Sequence, residues 1–330
     1  MRRVGWATSA WAFGPTYRSL PEPVGMRVAN VGRWLNRHER RLRNELYRPG
    51  RRYDVVVFVK SMDERTQAEA ELIKGAGGRI VFDANVNYYE IWGDYELPNT
   101  RPTEEQRRDA IEMTRLADWV VADSSYLLEI VRKHTERASW IPDNVDTRLF
   151  RPPRQRRRGG LVAAWSGMAA KARPLLEIRE PLASAGVELV VVSNEEPPEL
   201  TELRRDVSVR FVEFSLRRYA QVVREADLIV SPKRLVNGYE LGHTEWKITL
   251  GMAAALPAVA SPQRSYVEAI EHRGGGIVAE GPDEWRAALE RLRDAELRDE
   301  LGRRARETVV ERYSTSVVAK QYGELLASLA

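Results

Sequence analysis

Lys247 is the residue around which chemistry can be organised. It follows Gly238-Tyr239-Glu240-Leu241-Gly242-His243-Thr244-Glu245-Trp246 and precedes an apolar helical run, Ile248-Thr249-Leu250-Gly251-Met252-Ala253-Ala254-Ala255. Upstream, Ser231-Pro232 closes a β-rich run; downstream, Leu256-Pro257-Ala258-Val259-Ala260-Ser261 opens a second buried strand. The order strand, glycine-bearing loop, helix brings backbone N–H groups and the positive end of a helix to one point, and a lysine in the first turn adds a full charge there. A cation at that end opposes the helix dipole, and a bound anion offsets the cost. The implied chemistry is phosphate binding. The plain alternative is a solvated surface lysine.

A phosphate loop needs a sheet behind it, and the chain supplies two. Apolar β-rich runs at Tyr53 to Lys60, Arg79 to Asp83 and Trp119 to Ala122 alternate with helical patterns near Glu64 to Gly75, Glu104 to Ala117 and Ser124 to His134. The pattern restarts at Leu161 to Ser166, with a helix Pro174 to Ala185, strands Val187 to Ser193 and Val207 to Phe211, helix Arg217 to Glu225, strand Leu228 to Ser231, Gly276 to Val278, and a helical tail from Pro282. Such alternation means βαβ units and parallel sheets. The expected class is α/β, with two Rossmann-like, doubly wound domains facing across a cleft and a ligand at the carboxyl ends of the strands. The expected division is residues 1–155 and 156–315, with Pro152-Pro153-Arg154-Gln155-Arg156-Arg157-Arg158-Gly159-Gly160 as the linker.

Composition narrows the chemistry further. The 330 residues contain no cysteine and only His38, His134, His243 and His272, so disulfides, thiol catalysis and a thiolate metal site are excluded; neither a metal nor a cofactor is expected. No run approaches the roughly 18 apolar residues of a membrane span, and the start does not read as a signal peptide. A cytoplasmic location is the expectation. The basic residues are 45 Arg against 7 Lys at a net charge of +4. One arginine cluster is Arg33, Arg37, Arg40, Arg41, Arg43, Arg48, Arg51 and Arg52, on a helix and its exit; the other is Arg154 with Arg156 to Arg158. The second has linker composition and reads as solvated charge, so no nucleic-acid partner is expected. Peripheral contact with the inner face of a membrane stays open for the first.

After the strand ending at Asp83 comes Ala84-Asn85-Val86-Asn87-Tyr88-Tyr89-Glu90-Ile91-Trp92-Gly93-Asp94-Tyr95. Aromatic rings stack on sugars and Asp or Asn bond their hydroxyls, making Asp83, Asn85, Asn87, Tyr88, Tyr89 and Trp92 candidates for a hydroxylated ligand; a core or turn role is the alternative. In Asp123-Ser124-Ser125 the polar side chains read as a helix cap.

Four segments together resemble the two-domain GT-B glycosyltransferases, in particular the retaining, group-1 (family 4-like) type that uses nucleotide sugars. They are Ala117 to Leu127; Trp140-Ile141-Pro142-Asp143-Asn144-Val145-Asp146 running to Phe150-Arg151-Pro152; the Lys247 loop and helix; and Leu292 to Leu329, with Leu301-Gly302-Arg303-Arg304 and Glu311-Arg312-Tyr313-Ser314. Gly25-Met26-Arg27-Val28 is similar to a version in which an arginine precedes the first helix. The resemblance implies a last helix, about 316–330, that returns to the first domain. It implies transfer of a hexosyl-type sugar from a nucleotide diphosphate sugar to an acceptor hydroxyl (glycan, lipid-linked or small molecule), with retention and without metal. Lys247 with Lys171 or Arg173 would stabilise the leaving diphosphate, and Gly167, Glu240, Gly242, His243, Thr244 and Glu245 would surround the donor. Two positions depart from the pattern: Leu250 stands where the family has a ribose-holding glutamate, and Met168 where it has a pyrophosphate-gripping arginine. They keep a non-catalytic partner subunit open as a reading, alongside an epimerase or phosphorylase on the same fold.

Overall fold

The computed structural model describes residues 1–14, 16, 22–97, 100–153 and 160–329. The run Arg154 and Arg156 to Arg158 lies outside them. The chain divides into two compact units. Unit 1 is Met1–Asn144, Val236–Thr244 and Thr315–Ala330; unit 2 is Val145–Leu235 and Glu245–Ser314. The divide falls at Asn144/Val145 rather than near residue 155, and the segment 236–244, read from sequence as part of the second domain, folds with the first.

In chain order the helices are α1 (Glu22–Gly25), α2 (Val31–His38), α3 (Glu64–Gly75), α4 (Glu104–Leu116), α5 (Ser125–Val131), α6 (Pro174–Glu177), α7 (Arg179–Ser184) and α8 (Leu200–Leu203). There follow α9 (Leu216–Glu225), α10 (Gly238–Gly242), α11 (Trp246–Ala253), α12 (Arg264–Glu271), α13 (Gly281–Arg291), α14 (Ala295–Thr308) and α15 (Thr315–Leu329). Caps fix several starts: the Asp63 side chain accepts from Thr66 N, Thr103 and Gln106 form a capping box, and Ser124 Oγ accepts from Leu127 N at 3.1 Å. Ser124 is thus the cap expected in Asp123-Ser124-Ser125, and Asp123 stands outside it.

Unit 1 holds a parallel sheet of β1 (Arg2–Thr8), β2 (Leu42–Leu46), β3 (Val55–Val59), β4 (Arg79–Ala84), β5 (Trp119–Ala122) and β6 (Ala138–Trp140), in the order β2-β1-β3-β4-β5-β6. Central β3, Val-Val-Val-Phe-Val, is buried along its whole length, as a parallel strand covered on both faces must be. Phe58, Phe82 and Val120 face Ala70, Met113 and Leu127; Val57, Val81 and Val121 share the other core with Val31, Leu35, Val318, Tyr322 and Leu326, so α15 packs with α2 on that face. Sequence pattern missed β2 because Arg43 and Glu45 interrupt its buried positions at an edge.

Unit 2 holds β7 (Val162–Ser166), β8 (Glu188–Ser193), β9 (Ser208–Glu213), β10 (Leu228–Ser231), β11 (Ala258–Ala260) and β12 (Gly276–Val278), all parallel, in the order β12-β11-β10-β7-β8-β9. The direction of winding reverses between β7 and β10, and in unit 1 between β1 and β3. Crevices open at such switch points, beyond the carboxyl ends of the strands. Helix α11 ends at an unusual residue: Ala255 has φ 61°, with Leu256 N bonded back to Gly251 O at 3.2 Å. That left-handed closing position ordinarily takes glycine.

Candidate functional site

The switch point of unit 2 is built from two short pieces of chain. After β7 the chain turns at Gly167, whose N–H donates to Val192 O at 3.1 Å, while Ala169 N donates to Asn194 Oδ1 at 3.0 Å. A Cβ on Gly167 would meet the Trp165 ring at 2.7 Å and Lys247 Nζ at 3.2 Å. Glycine is therefore needed, and the ammonium of Lys247 rests on this turn. The same Nζ lies 5.8 Å from the Trp165 ring centroid, a cation–π distance that holds the long side chain toward β7. Lys247 is the second residue of α11, whose first turn offers N–H groups outside the helix's own ladder. Positive charge, helix dipole and a side-chain-free turn converge beyond β7 and β10.

The other expected donor residues separate into two groups. Lys171, half-buried, ends the short turn Ala169–Lys171, and Arg173 is exposed just before α6. Met168 is 60% exposed and brings no charge where the resemblance puts an arginine. Leu250 is 1% exposed and belongs to the core of unit 2, so that helix position presents no carboxylate. Glu245 stands at the N-cap position of α11 but makes no capping bond, and its side chain is wholly buried. Burial first, and then the charge of Glu245, pushes the Tyr313 hydroxyl well above the usual tyrosine range. Glu240, Gly242, His243 and Thr244 lie instead in the 236–244 segment of unit 1. There Glu240 N bonds Asn237 Oδ1 at 2.8 Å, the His243 ring meets Tyr239 edge-on at 4.3 Å, and Thr244 Oγ1 donates to Asp143 Oδ2 at 3.0 Å.

Unit 2 also holds a cation that sequence reasoning passed over. Lys233 follows Ser231-Pro232 at the end of β10; its N–H donates to Ser261 Oγ at 2.8 Å and its Nζ lies 5.2 Å over the Tyr266 ring. Its place directly after a buried strand was the available signal.

At the corresponding edge of unit 1, half of the expected hydroxyl-binding residues are committed inward. Asp83 is fully buried: Arg27 Nε and Nη2 donate to its two oxygens at 2.8 and 3.1 Å, and Tyr322 Oη donates to Oδ2 at 2.6 Å. Arg27 also donates to Asp143 Oδ1 at 2.9 Å and to the carbonyls of Ile141 and Pro142. Tyr89 is a core residue bonded to Thr114, and Asn87, 1% exposed, donates to Gly238 O at 3.2 Å while accepting from Tyr89 N. A solvated sugar cannot reach Asp83 or Tyr89 in this arrangement. Tyr88 and Asn85 are half-buried and Trp92 is 42% exposed.

Three polar atoms on this edge have no hydrogen-bond partner among the described residues: Thr8 Oγ1 at the end of β1, Asn85 Nδ2 just past β4, and Asp123 Oδ1 just past β5. Burial, and then the carboxylates of Asp143 and Asp83, raise the Asp123 carboxyl well above the ordinary range against the opposing pull of Arg27 and Lys60. Lys60, closing β3, holds a left-handed backbone at φ 54°, strain of a kind that gathers at functional sites. Sequence reasoning missed Thr8, Lys60 and Asp123; only their strand-end positions marked them.

Residues 162–295 match the sequence model of the family "Glycosyl transferases group 1". The chain carries a group 1 glycosyltransferase domain. The match makes this region a glycosyltransferase domain, and the chain's two six-stranded parallel units have the GT-B fold of solved glycosyltransferases. Sucrose-phosphate synthase from Thermosynechococcus elongatus is similar at TM-score 0.71 and 13% identity over 100% of this chain and 99% of that one. Anabaena HepE in complex with UDP is similar at TM-score 0.69 and 14% identity, over 99% and 100%. S. aureus TarM is similar at TM-score 0.65 and 14% identity over 82% of this chain, which spans only 54% of TarM's own. Comparison with curated proteins gave no match. Among the described residues, no helix is long and apolar enough to cross a membrane.

Proposed function

We propose that this glycosyltransferase moves a hexosyl group from a nucleoside diphosphate sugar to an acceptor hydroxyl, with retention and without a metal ion. The observation that carries the proposal is the ammonium of Lys247 resting on the Gly167 turn at the switch point of unit 2. As the bond from the sugar's anomeric carbon to the diphosphate breaks, negative charge grows on the departing phosphate. A fixed cation and a helix N-terminus stabilise that charge without reorganising. Lys171 and Arg173 are the nearest replacements for the missing Met168 charge in sequence. That HepE was solved with UDP and with UDP-glucose supports a uridine nucleotide as the first donor to try. On the acceptor side, half-buried Asn85 offers its amide to hydroxyls, with Trp92 as a stacking face.

The proposal includes a cytoplasmic site of action with peripheral contact at a membrane's inner face. The exposed Arg33, Arg37, Arg40, Arg41, Arg43 and Arg48 support it. A second reading, a non-catalytic partner subunit, is favoured by Leu250 lying in the core. A thermal-shift panel of UDP, GDP, ADP, dTDP and their sugars separates the two. A ligand at about 100 times its dissociation constant adds about 2.7 kcal/mol, a shift of several degrees; no shift with any of them overturns the donor assignment.

A further inference from the structure

Aromatic side chains from three distant stretches of sequence meet within unit 1: Tyr88 and Trp92, then Tyr126, then Tyr239 with His243. Backbone contacts hold the first and last stretches together. Gly93 bridges antiparallel to Asn237, Asp94 N donates to Val236 O at 3.0 Å, and Asn237 Nδ2 donates to Asp94 O at 2.7 Å. A Cβ on Gly238 would stand 3.0 Å from Trp92 Nε1 and 3.5 Å from its Cε2, so the indole edge lies against bare backbone there. A Cβ on Gly242 would stand 3.8 Å from Tyr126 Cδ1. Burial, and then the charge of Glu90, raises the Tyr126 hydroxyl, against a hydrogen bond that the Trp92 indole donates to it. Burial first, and then Tyr239, raises the Tyr88 hydroxyl, so these two phenols are also neighbours. The His243 ring closes the array edge-on to Tyr239.

These rings are neither core nor fully solvated. Trp92 is 42% exposed and the other four are half-buried, whereas Tyr89, next to Tyr88 in the chain, is 2% exposed and packed in the core of the sheet. Between residues 85 and 92 the one charged side chain, Glu90, is paired with Lys133 at 2.6 Å. Asn85 Nδ2 is a buried amide donor with no hydrogen-bond partner among the described residues, and a group of that kind calls for one. Apolar ring faces edged by hydroxyl, indole and amide groups match a ligand that is itself apolar on its faces and hydroxylated around its rim. A pyranose ring has that form. A phosphate calls for cations and an alkyl chain for a surface without donors, and this face offers neither.

We propose that Trp92, Tyr88 and Tyr239 form a stacking platform for a saccharide, with the Asn85 amide as a donor to its hydroxyls, so that the acceptor of this glycosyltransferase is a sugar. Assigning that saccharide to the acceptor rests on the transfer reading above; its binding to unit 1 does not. His243, expected around the donor, here supports the Tyr239 ring.

The test is titration of the full chain with glucose, maltose, cellobiose and N,N′-diacetylchitobiose, followed by saturation-transfer NMR. At least one of them should bind, about tenfold or more weakly in Trp92→Ala, and within about threefold of wild type in Trp92→Phe, which keeps an aromatic face. Tyr239→Ala takes the place of Trp92→Ala if that variant does not fold, and should weaken the same sugar. No binding of any of the four to the wild-type chain overturns the proposal, and so does binding that these alanine variants leave unchanged. Sugar binding lost in Lys247→Ala but kept in Trp92→Ala puts the sugar at the donor site and also overturns it. A chain that binds a saccharide through Trp92 but no nucleoside diphosphate defeats the donor reading and keeps the platform; a chain that binds UDP but no saccharide does the reverse.

Discussion

The carboxyl ends of the two sheets use charge in opposite directions. In unit 1 Arg27, Asp83, Asp143 and Tyr322 are turned on one another, and Arg27 directs five donor contacts to protein oxygens. In unit 2 the corresponding edge keeps a carboxylate out of α11 at Leu250 and lays the Lys247 ammonium on a bare glycine turn. A buried ion pair stabilises only while both partners are present, whereas a cation at a switch point matters for what it binds. Substitutions should therefore separate cleanly: those at Arg27 act on the fold, and those at Lys247 act on the reaction.

The largest effect should come from Arg27→Met, which leaves buried Asp83 and half-buried Asp143 without their counter-charge. A loss of about 3–5 kcal/mol is expected in urea unfolding, and adding Asp83→Leu should return much of it. An Arg27→Met variant as stable as wild type would dissolve the contrast from the side of unit 1. From the other side, Lys247→Ala should lower sugar transfer by about 10²–10³-fold, as removal of a charge-stabilising group does, and move stability by less than about 0.5 kcal/mol. Equal loss of stability and activity would put Lys247 among the structural residues.

Asp123 sharpens the comparison through pH. Its carboxyl is raised in the folded chain, so folding favours the protonated form. Between the unfolded value, about 3.9, and the raised folded value the native state holds more protons than the unfolded one, and stability falls as pH rises across that window. Asp123→Asn should remove this slope and gain on wild type above about pH 4. Parallel stability curves for the two would mean that the Asp123 carboxyl titrates alike in the folded and the unfolded chain.

The smallest expected effect concerns backbone strain. Lys60 holds its left-handed backbone at the switch point of unit 1, while Ala255 holds one in unit 2 just after α11. Ala255→Gly should raise stability by about 1 kcal/mol and leave transfer unchanged. A neutral or destabilising result would show that the closing turn of α11 is relaxed with alanine.

The sequence disclosed the regular parts of this molecule for a physical reason. Strands such as Val55–Val59 are buried on both faces and read as unbroken apolar runs, and capping residues such as Thr103 and Ser124 mark where helices begin. Lys247 and Gly167 stood out because a lysine in the first turn of a helix and a glycine directly after a strand are locally unusual, and the structure brings the two together. What escaped detection depends on contacts between residues distant in the chain. Asp83 looks available from its strand-end position until Arg27 and Tyr322, 56 and 239 residues away, close on it. Segment 236–244 looks like part of its neighbours' domain until Asn87 and Ser124, 151 and 118 residues from their partners, hold it elsewhere. Asp123 was taken for part of a cap because it adjoins the real one, Ser124.

The most direct test of the account is calorimetric titration of a nucleoside diphosphate, UDP first, into the wild-type chain and Lys247→Ala. One site per wild-type chain and at least tenfold weaker binding in Lys247→Ala are expected, the loss of about 1.4 kcal/mol or more in a charge-assisted contact. Equal affinity in the two proteins would contradict the assignment of Lys247 to the diphosphate.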